Sequence, residues 1–400
     1  MPLPAIPIVE INLTGGASTF GDPFILGTSQ LGFAELASGI ADIVDVSSQV
    51  QSISTRRERN LLQDKFLSAS ATVRILDPNG DWNPQNTSSP YYPNLVPLRK
   101  IKIEADYSGT IYPIFLGYIT EYIYTYPKSQ EVGYVTLVCS DAFRLLYNSN
   151  VTVVTGAIAG EKTGTRIGKI LDTVKWNTTA RSIDTGNTNC QADPATTRTA
   201  LQAIQTLEFT EQGAFYLDKA GYAVFKSRQA VYDSKDSATI TNFSNVSGSS
   251  DINYFNISLA HDDKTLANSA TITPLGGTDQ TYVDLPSVNQ YFTRSITAGN
   301  LLMDTDAEAA SLAYAYVQTR KDVTVRIDSI VLDLVTLAYG AGITAALDLD
   351  YFDRMQITNE SQTGVTLVKT LQCLGINHDI TPNSWFTTFV TQEPILDVMY

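Results

Sequence analysis

The sequence predicts a mainly β fold with α+β insertions, in which two similar β-barrels are joined to two smaller α/β elements. Short segments of alternating polarity, separated by Gly, Pro and Asn, dominate the chain up to about residue 145 and return after Asn253. Helical periodicity occurs mainly between these two regions. The carboxyl-terminal segments also repeat, in the same order, patterns found in the first third of the chain, which indicates an internal duplication.

Residues 1–149 are predicted to form the first barrel. The strand Thr72–Leu76 leads into the turn Asp77–Pro84, in which Pro presets φ while Asn and Gly tolerate positive φ. Three further segments have strand character: Leu98–Ile103, Ile114–Ile119 and Val135–Asp141. Alternating strands joined by a Pro-Asn-Gly turn are typical of the edge of a β-barrel.

The segment Ile111–Tyr126 is apolar at both parities. Five tyrosines share one parity, namely Tyr112, Tyr118, Tyr122, Tyr124 and Tyr126. The other parity carries Phe115, Ile119 and Ile123. Because neither face is polar, this strand cannot have one side in bulk water. Either it is sandwiched within its own domain, or the tyrosine face contacts another subunit, which makes the five tyrosines the candidate interface residues.

Residues 150–248 are predicted to form a small α+β domain. A helix that starts near Thr163 or Thr165 is indicated by one apolar stripe, Ile167, Ile170, Leu171 and Val174. A second helix is predicted to begin at Asp193-Pro194, with the acid as N-cap and Pro at the first helical position. Alternation over 214–218 and 222–226 then predicts a hairpin.

Residues 249–285 and 336–400 are predicted to form a discontinuous second barrel. The helix-containing domain at 286–335 is inserted into it. The pattern Thr305-x-x-Glu308 is a capping box and predicts a helix over about 304–321.

Three segments of this second barrel resemble segments of the first. Phe352–Ile357 resembles Leu98–Ile103, and Leu371–Ile376 resembles Ile114–Ile119. Trp385–Val390 resembles Tyr134–Val138. The matching order favours a duplicated barrel over chance similarity between strands.

The order of these segments resembles the hub and minor tail proteins of tailed bacteriophages. In that family a strand ending in an Asn-Gly or Asp-Gly turn precedes an aromatic-Ser-Pro segment and two strands, as it does here from Thr72 to Ile119. Val50–Arg59 is similar to the family strand that ends in a basic cluster, although the usual glycine is missing between Arg57 and Arg59. His378–Phe389 is similar to the family's last strand pair.

This resemblance implies a structural protein and not an enzyme. In the family, tail-tube-like barrels occur twice per chain, and three chains close into a ring of six barrels. Such a homotrimer joins the sixfold tail tube to the threefold tip and lets DNA pass. The implied partners are a tail tube or distal tail protein ring and a central spike, fibre or tape-measure protein. The implied location is the virion, at the tail tip or baseplate, after assembly in the host cytoplasm.

The composition bears on possible partners. The net charge of −14 argues against specific nucleic-acid binding, since phosphate recognition needs clustered Lys and Arg. It also predicts a neutral or negative channel wall, which would repel DNA. The most apolar window, Leu334–Leu347, is short and broken by Gly340 and Gly342, so no membrane span is expected.

No motif predicts a catalytic residue, metal site or cofactor. Gly156–Thr163 resembles a phosphate loop, but it is one residue short between its glycines and carries Glu161, so we predict a turn that leads into a helix. Residues with side-chain oxygens stand at alternate positions of Asp77–Asn83, as they do in a calcium loop. The glycine comes one place early, however, and Ser88 occupies the twelfth position, where a calcium loop has Glu. His261 stands beside Asp262 and Asp263, but neither His261 nor His378 has a second His or Cys at metal-binding spacing.

An alternative function is a carbohydrate-binding or carbohydrate-degrading β-protein of the virion tip. The aromatic content permits it, because Trp and Tyr rings stack on sugars. Such a site would expose several aromatic side chains beside paired carboxylates. Trp82, Trp176 and Trp385 instead lie in separate predicted elements.

Overall fold

The computed structural model describes residues 3–13, 43–60, 65–126, 132–337, 340–361 and 364–394. One sheet of fourteen strands dominates the described residues, and three small sheets accompany it. The predicted mainly β fold with α+β insertions is confirmed.

The described residues of the amino-terminal third form eight strands, β1 (Ile6–Asn12), β2 (Ile43–Asp45), β3 (Val50–Asn60), β4 (Lys65–Phe66), β5 (Ser70–Leu76), β6 (Arg99–Tyr107), β7 (Thr110–Thr125) and β8 (Tyr134–Ser140). The middle of the chain contains α1 (Phe143–Asn148), β9 (Asn150–Val151), α2 (Thr163–Thr173), β10 (Arg181–Ile183), β11 (Arg198–Thr199), α3 (Ala200–Glu211), β12 (Ala214–Leu217), β13 (Ala223–Lys226) and α4 (Arg228–Asp233).

The remainder begins with β14 (Thr241–Ser244), β15 (Asn256–Ala260), β16 (Ser269–Pro274), β17 (Gln280–Val283), α5 (Leu285–Tyr291), β18 (Ser295–Leu301) and α6 (Asp306–Gln318). It ends with β19 (Arg326–Asp333), α7 (Gly340–Asp348), β20 (Arg354–Glu360), β21 (Thr366–Thr381) and β22 (Ser384–Gln392).

The large sheet contains the same six-stranded arrangement twice. In the first β unit the strand order is β3-β5-β8-β7-β6-β1, and in the second β unit it is β15-β19-β22-β21-β20-β14. Corresponding strands occur in the same order along the chain. The one difference in direction is that β1 runs antiparallel to β6 whereas β14 runs parallel to β20.

Details of the backbone repeat as well. Leu98 and Phe352 both have positive φ, at 66° and 71°. Their N–H groups donate to Ile119 O and Cys373 O, each over 2.7 Å. A bulge follows each acceptor, in β7 after Ile119 and in β21 after Cys373. Two non-glycine residues held in the left-handed region at equivalent places are hard to explain without duplication.

This register corrects one predicted equivalence. The alignment of Phe352–Ile357 with Leu98–Ile103 is confirmed, whereas Ile119 corresponds to Cys373 and not to Ile376. The sequence pattern missed this shift because neighbouring apolar residues in a buried strand allow several alignments.

In each β unit, the residues just before the second outer strand contact the first outer strand and so bring the two edges of the unit together. In the first unit β2 pairs with β1, and Val46 N–H donates to Val9 O over 2.9 Å just before β3 begins. In the second unit Ile252 bridges to Phe243 of β14 just before β15 begins. The two units share one continuous hydrophobic core.

Strand pairing departs from the predicted domain ranges at three places. β14, which falls in the range 150–248, pairs with β20 of the second unit. β19, which falls in 286–335, pairs with β15 and β22. β16 and β17 form a separate sheet with β18, on which α6 packs. Local alternation identifies a strand but not its partner, which explains these differences.

Of the three helices predicted from the sequence, two are confirmed and one is wrong. α2 and the β12–β13 hairpin are as predicted, and Thr305 caps α6 by accepting from Glu308 N–H over 3.2 Å. The helix predicted at Asp193-Pro194 is wrong, because α3 begins at Ala200 behind a capping box formed by Thr199 and Gln202. Asp193 instead pairs with Arg198 over 2.6 Å.

Candidate subunit interface

The five candidate tyrosines do not share one face of β7. Bulges occur at Ile114 and at Thr120, and each reverses the alternation of side chains. Tyr112, Tyr122 and Tyr124 therefore pack against the core shared by both β units. Tyr118 lies on the opposite face, in the core of the α+β domain, and is only 6% exposed. The single tyrosine face expected from strict alternation is wrong.

Three of these tyrosines form a ladder along the end of β7. The rings of Tyr122, Tyr124 and Tyr126 follow one another at 6.4 Å, with interplanar angles of 6° and 12°. Tyr122 donates its hydroxyl to Val96 O over 3.2 Å, and Tyr126 donates to Asp77 Oδ2 over 2.8 Å. The ladder thus holds both ends of the long loop between β5 and β6.

The end of β7 has an open edge. The pairing of β6 with β7 ends at Ile119, whereas β8 stays paired with β7 as far as Thr125. We call Glu121–Tyr126 the β7 edge segment. Within the described part of the chain, no strand pairs with its side opposite β8. Ile123 on this segment is 43% exposed and Tyr126 is 45% exposed.

A second open edge lies at β15, the terminal strand of the large sheet. β15 pairs with β19 on one side, and among the described strands none pairs with its other side. Phe255 and Leu259 are 67% and 46% exposed there. The N–H of Ile257 donates to the side chain of its neighbour Asn256 over 2.9 Å. An exposed apolar strand edge is a ready site for pairing with another chain.

The corresponding edges meet each other inside the chain. β3, the counterpart of β15, pairs antiparallel with β21, the counterpart of β7, from Glu58 opposite Gly375 to Ile53 opposite Ile380. Ser54 Oγ donates to Asp379 Oδ1 over 2.7 Å across this junction. The pairing joins the two β units into one sheet.

A buried arginine fixes the same junction to the α+β domain. Arg57 on β3 has a side chain only 4% exposed and bonds to Asp350 over 3.1 Å and to Leu217 O over 3.4 Å. Its guanidinium also lies 4.8 Å from the ring centroid of Tyr351. Burial acts to lower the pKa of Arg57, but Asp350 and other negative neighbours raise it overall, so the charge is kept. The basic cluster noted in the sequence is therefore part of the strand β3.

His378 is buried at the same place. Its Nδ1 accepts the indole N–H of Trp385 at 3.3 Å and lies 3.0 Å from Thr387 Oγ1. An indole N–H can only donate, so Nδ1 carries no proton. Burial lowers the pKa of His378 to about 3. These contacts give His378 a structural role as a neutral acceptor.

In the two motifs that resemble ligand loops, Glu161 and Asp77 bond to other groups of the chain. Gly156–Thr163 leads into α2 as predicted, and Glu161 pairs with Arg166 and Lys169. Burial acts to raise the pKa of Glu161, but these two cations lower it overall. Asp77 accepts from Asp81 N–H over 2.7 Å and from Trp82 N–H over 3.3 Å, which makes its segment a closed turn.

The described residues contain no group of three or more His, Cys, Asp or Glu side chains arranged to hold a metal ion. None of their helices is long and apolar enough to cross a membrane; positions 338 and 339 of the apolar window at Leu334–Leu347 lie outside these residues.

Comparison with known proteins gives matches at the level of structure. No family model matches the chain, and no curated protein sequence matches it. The chain is similar to the tail protein from Neisseria meningitidis MC58, with a TM-score of 0.57, 12% identity, and coverage of 89% of this chain and 95% of that one. It is also similar to the 43 kDa tail protein of prophage MuSo2 from Shewanella oneidensis, with a TM-score of 0.56, 14% identity, and coverage of 90% and 95%. The chain therefore has the fold of these phage tail proteins, as its sequence resemblance predicts.

Proposed function

We propose that this chain is a structural tail protein and, more specifically, a hub subunit that closes into a homotrimeric ring at the tail tip or baseplate of a virion. The observation that carries the proposal is the duplicated β unit, which repeats in strand order, bulge position and positive φ. A chain with two equivalent units presents six units when three copies form a ring. Such a ring matches a sixfold tube on one side and a threefold tip on the other.

The partners follow from this geometry. A tail tube or distal tail protein ring would contact the face with six similar units. A central spike, fibre or tape-measure protein would contact the threefold side. A closed ring presents one face to each of two unlike partners on its axis, and cyclic closure also covers strand edges that would otherwise aggregate.

The ring is expected to let DNA pass without binding it. The chain carries 41 acidic and 27 basic residues, so a neutral or negative channel wall is expected. A map of the trimer by electron cryo-microscopy would identify the side chains within about 8 Å of the wall, one Debye length at physiological salt. A wall dominated by Lys and Arg would contradict this expectation.

The carbohydrate alternative has less support. Trp82 and Trp385 are fully buried in the core shared by the β units. Trp176 is partly buried and donates its indole N–H to Ala180 O over 3.0 Å. These three side chains therefore offer no common exposed platform for a sugar.

The oligomeric state tests the proposal. Light scattering of the purified protein at micromolar concentration should give three times the chain mass of 43.7 kDa, about 131 kDa. Negative-stain class averages should show a ring with six similar lobes. A protein that stays monomeric at every concentration would contradict the ring.

A further inference from the structure

We propose that β15 of one subunit pairs antiparallel with the β7 edge segment of the next copy of this chain. In this pairing Ser258 lies opposite Thr125. The inference rests on the proposed ring and specifies the contact that closes it. The partner is a second copy of the chain, and the contact is a continuation of the large sheet from one subunit into the next.

The junction inside the chain supplies the template. β3 pairs with β21 only beyond the bulge that follows Cys373, because β20 occupies the same side of β21 before that bulge. β7 has the same division: β6 occupies it up to Ile119, and the edge beyond the bulge stays open. The first β unit therefore offers the edge that β3 uses on the second.

The register of the proposed pair follows from three existing registers. The bulges make Glu121 equivalent to Gly375, so Thr125 is equivalent to Asp379. The position of β15 is read through its neighbouring strands. In the first unit, Thr72 of β5 lies opposite Val138 of β8 and opposite Ser54 of β3. In the second unit, Ser329 of β19 lies opposite Val390 of β22 and opposite Ser258 of β15. Since Val138 and Val390 are equivalent, Ser258 is equivalent to Ser54. Ser54 lies opposite Asp379, so Ser258 is placed opposite Thr125.

The chemistry of the two edges agrees with this register. Ile257 packs against the shared core, and Leu259 has the same parity. They would lie opposite Tyr126 and Tyr124 of the ladder, so apolar side chains meet on the inner face. Ser258 and Thr125 would meet on the outer face, as Ser54 and Asp379 do within the chain. A slip by one residue would place Leu259 opposite Thr125 and lose this agreement.

The pairing also accounts for apolar surface on both edges. Phe255, Leu259 and Ile123 are all more than two-fifths exposed in the single chain. Pairing would cover part of this surface and satisfy open backbone groups at the same time. The Asn256 side chain, which now accepts from Ile257 N–H, would be replaced by a backbone carbonyl of the neighbour.

Disulfide trapping tests the pairing. In the double variant Thr125→Cys and Ser258→Cys, the two Cα atoms of neighbouring subunits should lie about 4.5–5.5 Å apart, within the range that a disulfide spans. Mild oxidation with diamide, which takes up the two electrons and two protons released by the thiols, should give covalent dimers and then trimers on non-reducing gels. Reductant should reverse the product. The native Cys139, Cys190 and Cys373 are buried, which keeps them out of the reaction.

Two controls fix the interpretation. The double variant Ser54→Cys and Asp379→Cys places the same geometry inside one chain. It should form an intrachain disulfide, and the product should run as a single chain on non-reducing gels. Ile111→Cys with Ser258→Cys uses an exposed residue at the other end of β7, about 45 Å from Thr125, and should give no cross-linked trimer.

The outcomes separate this inference from the proposed function. Covalent trimers from the Thr125 and Ser258 pair alone support both. A trimer by light scattering that gives no intersubunit cross-link, while the Ser54 and Asp379 pair does oxidise, overturns the strand pairing and leaves the ring intact. A strictly monomeric protein overturns both.

Discussion

Replacing Arg57 by alanine is expected to lower the free energy of unfolding by about 3–5 kcal/mol, because it leaves the partly buried Asp350 without its cation. The substitution also removes the bond to Leu217 O and the contact with the ring of Tyr351. The contacts belong to two distant parts of the chain, one at Leu217 and one at Asp350 and Tyr351, so the loss should affect the junction as a whole. Urea denaturation followed by tryptophan fluorescence would measure the change.

Arg56→Ala is the matched control. Arg56 is the neighbouring residue on β3 and pairs with Asp379 over 2.8 Å, but the two side chains are 44% and 48% exposed. An exposed ion pair contributes about 0–1 kcal/mol, so this variant should unfold nearly as the parent does. Equal losses in the two variants would mean that burial does not govern the strength of this junction.

Features coded by local sequence were predictable. The apolar stripe of α2, the Thr305 cap of α6 and the hairpin of β12 and β13 each depend on residues within one turn or one strand. The resemblance between the two halves also identified the duplication correctly. In both cases the relevant pattern is visible along the chain.

Features that depend on distant partners were not predictable. The bulges at Ile114 and Thr120 have no distinctive residues, yet they redistribute the tyrosines of β7 between two cores. Arg57 was visible only as part of a basic cluster, because its partner Asp350 lies 293 positions away. The candidate edges at β7 and β15 likewise became visible only once the pairing of β3 with β21 was known.

The duplication has a consequence for assembly. A heterologous contact closes into a ring only if its rotation fits a whole number of subunits. When the contact within a chain and the contact between chains have the same geometry, every step around the ring turns by the same angle. In the proposed trimer six such steps would have to close the ring, which is why the β3–β21 junction serves as the model for the subunit contact.

The stability of the protein is expected to fall in acid because of His378. The pKa of this buried side chain is about 3 in the folded protein, against about 6.5 in the unfolded chain. Between these two values the unfolded state binds the extra proton, so stability is fully present above pH 6.5 and is lost as the pH falls. The loss is about 1.4 kcal/mol per pH unit, or about 2 kcal/mol between pH 7.5 and pH 5.

His378→Asn isolates this contribution. The asparagine cannot take up a proton in this range, and its Oδ1 can still accept the indole N–H of Trp385. Carboxylates titrate in both proteins, so the informative quantity is the difference between their free energies of unfolding. Between pH 7.5 and pH 5 the free energy of unfolding of the parent should fall by about 2 kcal/mol more than that of the variant. The lowest pH of this measurement, pH 5, stays above the isoelectric point of about 4.6, at which the chain carries little net charge.

His261→Asn provides the control, because it removes the other histidine of the chain, which is exposed. Because this substitution changes an exposed side chain, we expect it to change the free energy of unfolding by no more than about 0.5 kcal/mol. If His378→Asn instead keeps the acid dependence of the parent, the buried imidazole is not the group that binds the extra proton on unfolding. Because His378 contacts Trp385 on β22 and is paired to Thr55 of β3, its protonation would loosen the sheet at the junction between the two β units.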